Sequence, residues 1–156
     1  MFYRNRDYGR AANQVQRSIE LDPRFALSYW YLGLIRQEQG DLEGAIDALK
    51  FAVEFSLERP LYLAALGQAC GRANRKQEAL TILEKLMKLS EVRYVSPFDV
   101  ALVHMGMGNK DATFEWLEEA CTQRVTRLRI LREAQFDVLR SEPRFVDLML
   151  RVGLPV

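Results

Sequence analysis

The sequence predicts an all-α protein in which antiparallel helix pairs stack into a solenoid, closed at the C-terminus by a short capping helix. Three observations predict this fold. The chain matches itself when it is shifted by 34 residues, with no insertion or deletion across the matched copies. Small residues return at fixed places in that period, and helix-ending residues separate the apolar stretches. A chain of 156 residues is long enough for one short array of such repeats.

Small side chains mark the places where the two helices of a pair must approach each other closely. A bulky side chain at such a place would overpack the contact and cost roughly 1–3 kcal/mol. Leu, Val and Ile recur at helical spacing and form the apolar stripe that each helix buries. The small residues that fall into register are Gly33, Gly67 and Ala101 in the first helices, and Ala11, Ala45 and Ala79 in the second helices.

Breaks between the apolar stretches place the helix ends. Gly40, Asn74 and Gly108 suit the left-handed backbone conformation that commonly ends a helix. Ser96 followed by Pro97 is typical of an N-cap and a first helical residue. Helices are therefore predicted over residues 8–21, 26–39, 42–56, 60–73, 76–89, 97–107 and 110–123.

The last residues predict a cap on the final repeat, because a repeat array must cover its terminal apolar face. A helix of about residues 143–152 is predicted to end at Gly153. A tight turn over residues 136–140 is predicted to dock Phe136 and Leu139. The helix residues that share one apolar face are Phe145, Leu148, Met149 and Val152.

The repeated pattern resembles that of the tetratricopeptide-repeat (TPR) family, W-x2-L-G-x2-Y followed by A-x3-F-x2-A and then P. The best copy reads Tyr29-x2-Leu32-Gly33-x2-Arg36, then Ala45-x3-Leu49-x2-Ala52. The resemblance covers residues 1 to about 127 and implies a right-handed superhelical solenoid. A HEAT-like array would need a longer period of about 40–47 residues. The junction before Pro60 is expected to be irregular, since Leu57 stands where the pattern has its proline.

The repeat register divides the chain into five parts. The first repeat has its second helix but only residues 1–7 where its first helix should be. We expect that the chain is a fragment of a longer one, with self-association as a consequence in isolation; the alternative is that another subunit covers the open face. The predicted parts are a partial first repeat over 1–25, repeats over 26–59 and 60–93, a degenerate repeat over 94–127, and the C-terminal cap over 128–156.

Four stretches of the C-terminal half are more specific than a generic repeat. They are Tyr94–Ala101, Phe114–Leu117, Phe136–Phe145 and Gly153–Pro155. These stretches resemble the tails of bacterial TPR arrays that follow a winged-helix regulator, a nucleotide-cyclase domain or a Ser/Thr-kinase domain. The resemblance implies an interaction module of a bacterial signalling or regulatory protein. None of those domains is present in these residues, so none of their functional residues carries over.

The TPR resemblance implies a concave groove, lined by the first helices of successive pairs, that binds an extended peptide or a helix. One subfamily grips C-terminal carboxylates with Lys and Asn, and those residues are absent from the matching positions here. Trp30 and Phe98 favour an apolar peptide or helix instead. The alternative is that the protein's own C-terminal segment covers these residues. The predicted groove residues are Leu27, Trp30, Leu34, Gln37, Glu38, Leu61, Ala64, Gln68, Arg72, Phe98, Leu102 and Met105.

Charge and hydropathy indicate the class of partner and the compartment. With 22 Lys and Arg against 21 Asp and Glu, the formal charge of +1 argues against a nucleic-acid or anionic-membrane partner. The C-terminal arginines are interpreted as solvated helix faces, partly balanced by the carboxylates Glu133, Asp137, Glu142 and Asp147. No stretch approaches the ~20 apolar residues that span a bilayer, and no signal peptide opens the chain. We therefore expect a cytoplasmic protein. The arginines concerned are Arg124, Arg127, Arg129, Arg132, Arg140, Arg144 and Arg151.

The sequence offers little for catalysis. His104 is the only histidine and stands at the aromatic place of the third copy, where a satisfied core histidine is the better interpretation. Cys70 and Cys121 are interpreted as buried free thiols. We predict no enzyme, no catalytic or metal-binding residue and no cofactor. The predicted function is a module that binds a protein or peptide partner; the alternative is structural self-association as a homodimer.

Overall fold

The computed structural model describes residues 8–155, and all of the predicted α-helices are present in it. Each predicted helix bound agrees with the observed one to within one residue. Two 3₁₀ helices, η1 and η2, follow the last helix pair; the sequence predicted only a tight turn in this stretch. The helices are α1 Tyr8–Leu21, α2 Ala26–Gln39, α3 Leu42–Phe55, α4 Pro60–Arg72, α5 Lys76–Ser90, α6 Pro97–Gly106, α7 Lys110–Thr122, η1 Thr126–Arg132, η2 Ala134–Leu139 and α8 Pro143–Arg151.

The helices pack as successive pairs, which confirms the predicted solenoid. Helix α2 packs on α3, α4 on α5, and α6 on α7, while α3 and α6 also pack against α4. Helix α1 packs on α2. The sequence predicted that the other side of α1 lacks a partner helix; that prediction concerns residues 1–7, which lie outside the described residues. No β-strand occurs within residues 8–155.

Helix ends have the conformations that the sequence predicts. Gly40, Asn74 and Gly108 have φ values of 82°, 60° and 74°, all in the left-handed region. The Ser96 hydroxyl accepts a hydrogen bond from the Phe98 backbone N–H at 3.3 Å, as an N-cap does. These local signals explain why the predicted helix bounds agree so closely with the structure.

The small residues lie at the pair contacts, as predicted. A Cβ added to Gly33 would lie 2.4 Å from Cγ of Leu49, on the other helix of the same pair. A Cβ added to Gly67 would lie 3.0 Å from the Ile82 side chain of its own pair and 2.9 Å from Val103 of α6 in the next pair. Ala45 and Ala79 are fully buried on the second helices. The period of small residues therefore sets how closely the paired helices approach.

The junction between α3 and α4 is irregular, as the misplaced proline predicts. Leu57 and Glu58 both have left-handed backbones, with φ values of 56° and 58°. The Glu58 carboxylate pairs with Lys85 of α5, and its carbonyl accepts from Arg93 Nη2 at 2.9 Å. Two consecutive non-glycine residues with left-handed backbones are strained. Contacts with neighbouring residues therefore stabilise the junction against the backbone preference of its own residues.

The C-terminal end of the solenoid is covered by η1, η2 and α8. Phe136 and Leu139 are buried in η2, which confirms the predicted docking of that turn. Phe145, Leu148 and Met149 of α8 are buried as well, in one cluster with residues of α6 and α7. The capping helix therefore covers the last repeat as the apolar pattern predicts.

Candidate functional site

The C-terminal segment, defined as residues 126–139, lies across the first helices α4 and α6. The Phe136 ring packs against the Phe98 ring of α6, with 5.9 Å between the ring centroids. Gln68 of α4 donates from Nε2 to Oε1 of Gln135, at 3.4 Å. The protein's own chain therefore covers part of the predicted groove.

A charged pair attaches the start of the C-terminal segment to α6. Arg127 forms an ion pair with Asp99, whose side chain is only 6% exposed. The Arg127 guanidinium carbon also lies 4.8 Å from the centroid of the Phe98 ring. Burial raises the pKa of Asp99, and the charge and hydrogen bond of Arg127 oppose that rise. Arg127 therefore offsets the desolvation cost of burying the Asp99 carboxylate.

A cleft of about 360 Å³ remains between the C-terminal segment and helices α2 and α4. Its helix side is mostly apolar, and its segment side combines one apolar residue with polar and charged ones. The helix side is formed by Trp30, Tyr31, Leu34, Leu61, Ala65, Gln68 and Leu102, and the segment side by Arg127, Ile130, Glu133 and Gln135.

A second cavity of about 350 Å³ continues the cleft on the other side of the Gln68–Gln135 hydrogen bond, since both glutamines line both cavities. Its charged lining comes from Glu38 and Arg72, which face each other at 3.6 Å. Arg72 Nη2 also donates to the Gln37 carbonyl at 3.2 Å. The two cavities thus differ in character: the first is mostly apolar on its helix side, whereas the second combines the Arg72–Glu38 pair with apolar side chains such as Met105 and Val138.

The structure brings together eight of the twelve predicted groove residues, and these line the two cavities. Phe98 and Ala64 are fully buried, and Gln37 is 2% exposed. Leu27 is half-buried on α2, outside both cavities. A partner could reach Phe98 only if the C-terminal segment moved away. The eight residues are Trp30, Leu34, Leu61, Gln68 and Leu102 at the first cavity, and Glu38, Gln68, Arg72 and Met105 at the second.

Trp30 is the largest side chain at the apolar cavity. Its ring packs edge-on against Tyr31 at 4.8 Å and against Tyr62 at 6.2 Å, between centroids. Its indole Nε1 is buried, and no protein acceptor within residues 8–155 bonds it. A buried N–H without an acceptor is uncommon, because it forfeits the hydrogen bond it makes in water. The tryptophan is therefore placed at some energetic cost beside an open cavity.

Sequence reasoning missed the residues that the C-terminal segment contributes to the cleft. The signal was present, since Leu128 and Leu131 are three residues apart and both buried, which matches the three-residue turn of a 3₁₀ helix. A single three-residue interval fits an α-helix as well as a 3₁₀ helix, so this pattern by itself does not identify the 3₁₀ turn. The contributed residues are Arg127, Ile130, Glu133 and Gln135.

Three of the C-terminal arginines, Arg140, Arg144 and Arg151, are 43–50% exposed and pair with carboxylates, in agreement with the interpretation as solvated and partly balanced helix faces. Arg144 pairs with Asp111 of α7 at 2.8 Å and its guanidinium lies over the Phe114 ring. Arg151 pairs with Glu118 and Asp147. Asp147 was among the balancing carboxylates that the sequence predicted, but the carboxylates of α7 were not. Ion pairs therefore attach α8 to α7 and neutralise much of the local positive charge.

His104 differs from the predicted satisfied core histidine. It is half-buried, and its Nδ1 has no hydrogen-bond partner among the described residues. Burial lowers the pKa of the imidazole, and the charge of Glu115 opposes the shift. Cys70 is buried and free as predicted, whereas Cys121 is half-buried. Within residues 8–155, no three His, Cys, Asp or Glu side chains converge as metal ligands, and no helix has the length and hydropathy of a membrane span.

Comparison with known proteins gives a fold and no family. No protein-family model matches the sequence, and no curated protein matches it. Six chains of solved structures do match. One is the crystal structure of MamA, a TPR-containing protein, which superposes with a TM-score of 0.54 at 20% sequence identity. The match covers 95% of this chain and 88% of that chain, and it shows that this chain has a TPR-like helical solenoid.

Proposed function

We propose that this chain is a protein-binding module that receives an apolar side chain of a peptide or helix in the cleft beside Trp30. The observation that supports this proposal is an apolar cavity of about 360 Å³, bounded by Trp30, Leu34 and Leu61 on one side and Ile130 on the other. Partly exposed aromatic side chains beside a cavity are typical anchors of protein interfaces. The C-terminal segment forms a wall of this site, which restricts the peptide to the α2 side of the groove.

The second cavity, with its Arg72–Glu38 pair, gives the same proposal a direction along the groove. A peptide that places an apolar residue beside Trp30 would meet Gln68 and Gln135 next, whose side-chain amides bond each other. Amides of this kind exchange readily with the N–H and C=O groups of an extended backbone. Arg72 and Glu38 follow at the second cavity. We therefore propose a peptide with a large apolar residue and a polar or charged residue after it.

The test is a selection of peptides on the whole chain, followed by affinity measurements with matched variants. Random 15-residue peptides displayed on phage are selected on the immobilised protein, and the enriched sequences are synthesised. Trp30→Ala should weaken their binding by about 2 kcal/mol, roughly thirtyfold. Tyr31→Ser, at a side chain 40% exposed at the cleft, should weaken it as well. Phe51→Ala is the matched control, because Phe51 is 47% exposed on α3 and does not line the cleft.

Two outcomes contradict the proposal. Enriched peptides that bind Trp30→Ala and Tyr31→Ser as tightly as the unchanged chain would place the site elsewhere. Equal losses in Phe51→Ala and Tyr31→Ser would show that the peptides recognise exposed aromatic residues in general. Melting temperatures of all variants are measured alongside, so that a loss of folding is not mistaken for a loss of binding.

Self-association is a second candidate, supported by an aromatic surface on α2 and α3. Phe25 and Phe51 are 46% and 47% exposed. The Tyr29, Phe51 and Phe55 rings pack within 5.8 Å of one another, measured between centroids. Light scattering over a range of concentrations tests this candidate. A dimer that Phe25→Ser with Phe51→Ser dissociates would support it, and a monomer at all concentrations would exclude it.

From its sequence resemblances, we also propose the kind of protein to which the module belongs and the class of its partner. The C-terminal stretches support a place in a bacterial signalling or regulatory protein, and the near-balanced charge of +1 supports a protein partner rather than a nucleic acid. We propose a cytoplasmic location as part of this setting. Binding of duplex DNA or RNA with a steep salt dependence would contradict this part of the proposal.

A further inference from the structure

A second groove lies on the opposite set of helices, between α5 and α7. Helix α5 packs mainly on α4, whereas α7 packs on α6. The two second helices therefore stay apart, and the N-terminal half of α6 is visible between them. The space has a volume of about 550 Å³ and shares no lining residue with the cleft beside Trp30. We call it the α5–α7 groove.

The floor and walls of the α5–α7 groove are apolar. Pro97 and Val100 of α6 form the buried floor. Met87 of α5, which is 40% exposed, and Trp116 of α7, which is half-buried, form the walls. Tyr94, at the edge of the groove, is 70% exposed. Exposed Met and aromatic side chains around a concave apolar floor are a common composition for a surface that binds a helix.

The ionisable groups that line the α5–α7 groove are both carboxylates, Glu115 and Glu119, and no Lys, Arg or His lines it. Gln123 Nε2 donates to Oε1 of Glu119 at 2.7 Å, and Tyr94 Oη is 3.3 Å from Oε1 of Gln123. This chain of hydrogen bonds orients the Glu119 carboxylate without neutralising it. Within residues 8–155, neither carboxylate forms an ion pair.

We propose that the α5–α7 groove binds an amphipathic helix of a partner protein that carries Lys or Arg beside its apolar face. Apolar side chains of the partner would lie on Met87 and Val100. A cation would lie against the Trp116 ring and between Glu115 and Glu119, where ring and carboxylates both attract it. The complementary charge is the reason to choose a basic helix, since an acidic one would meet two unpaired carboxylates.

The experiment uses the whole chain and two synthetic peptides of 14 residues. One peptide is an amphipathic helix of Leu and Lys, and the other has Glu in place of every Lys. The chain has two tryptophans, so the two indole N–H signals in a ¹H–¹⁵N NMR spectrum report separately on the two sites. The Lys peptide should shift the Trp116 signal and leave the Trp30 signal in place. The Glu peptide should shift neither at the same concentration.

Matched charge variants complete the test. Glu115→Gln with Glu119→Gln should weaken binding of the Lys peptide about tenfold, the effect of losing two solvent-exposed charge contacts while Trp116 stays in place. Asp47→Asn with Glu54→Gln changes the net charge by the same amount on exposed residues of α3 and should leave the affinity unchanged. Equal losses in both double variants, a shift of Trp30 alone, or equal binding of both peptides would overturn the proposal. So would a dimer of the free chain that the Glu115→Gln with Glu119→Gln variant dissociates, since the occupant would then be a second copy.

Discussion

Gly71 of α4 and Gly106 of α6 lie in direct backbone contact where two successive first helices cross. A Cβ added to Gly71 would lie 2.5 Å from the carbonyl carbon of Gly106 and 2.7 Å from the Met107 nitrogen. A Cβ added to Gly106 would lie 2.4 Å from the Gln68 carbonyl oxygen. Neither neighbour is a flexible side chain, so the two helices would have to move apart. Gln68 and Gly106 both line the second cavity, so this contact fixes the spacing of α4 and α6 on the helix side of that cavity.

We predict that Gly71→Ala lowers the free energy of unfolding by about 2–3 kcal/mol, because the added methyl group overpacks a contact between two backbones. The loss should appear in urea denaturation as a lower midpoint with an unchanged m-value. Gly9→Ala is the control, since nothing lies within 4 Å of a Cβ added to Gly9 in α1. That variant should gain about 0.5 kcal/mol from helix propensity. A Gly71→Ala variant as stable as Gly9→Ala would refute the close contact.

The sequence predicts the pair contacts well and the contacts between pairs poorly, for a physical reason. Within a pair, the same small residue returns in every copy, so a shift of 34 residues reveals Gly33 and Gly67 together. The Gly71–Gly106 contact joins different repeat positions in successive copies, and no self-comparison aligns them. The groove prediction met the same limit: the sequence predicted the turn that buries Phe136 and left open whether the C-terminal segment covers the groove, but it did not identify the contact between Phe136 and Phe98. Long-range contacts of this kind require knowledge of where each element docks.

Phe98 is predicted to be a stability residue. Its side chain is fully buried between Phe136 and Arg127, so Phe98→Ala should lower the free energy of unfolding by about 3–5 kcal/mol. Thermal or urea denaturation measures the loss. Tyr94→Ala, at a side chain 70% exposed, should change stability by no more than about 0.5 kcal/mol. A small loss at Phe98 would mean that the C-terminal segment leaves α6 readily, which would reopen the groove.

The Arg127–Asp99 pair is predicted to be indispensable at neutral pH. Arg127→Met leaves the Asp99 carboxylate buried without its cation, and the expected loss at pH 7 is about 3 kcal/mol. Burial already raises the pKa of Asp99, and loss of the opposing arginine raises it further. In the variant, the folded chain therefore binds a proton at Asp99 more readily than the unfolded chain does. The deficit, which is the free energy of unfolding lost relative to the unchanged chain, should therefore shrink as the pH is lowered toward 5.

The matched control for that pH effect is Asp99→Asn with Arg127→Met. This double variant has no carboxyl group to protonate at residue 99, so its deficit relative to the unchanged chain should vary much less with pH. Urea denaturation of both variants at pH 7 and pH 5 gives the comparison. If Arg127→Met has the same deficit at both values, Asp99 is already protonated at pH 7 or is better solvated than the structure indicates.

Leu57 is predicted to be a site where glycine stabilises the fold. The residue has a φ value of 56° in the strained junction before Pro60, and its side chain is 85% exposed, so little packing would be lost. Leu57→Gly relieves a left-handed strain of roughly 1–2 kcal/mol. Glycine also gives the unfolded chain more conformational freedom, which offsets part of this gain, so the free energy of unfolding should rise by about 0.5 kcal/mol. The midpoint of urea denaturation should rise. Leu21→Gly, in a right-handed helix at a residue 88% exposed, should lower it instead.

His104 makes the stability of the fold depend on pH in the opposite sense from Asp99. Because burial lowers the pKa of the imidazole, the folded chain binds its proton less readily than the unfolded chain. Stability should therefore fall as the pH drops below 6.5, the ordinary value for histidine, and level off below the folded pKa. His104→Phe puts an aromatic residue at the aromatic place of the repeat and removes the unpartnered Nδ1, so it should gain about 1 kcal/mol at pH 7. Its advantage should grow between pH 7 and pH 5.5, since His104 is the sole histidine of the chain. A constant difference between the two proteins across that range would show that the imidazole titrates as freely as an exposed one.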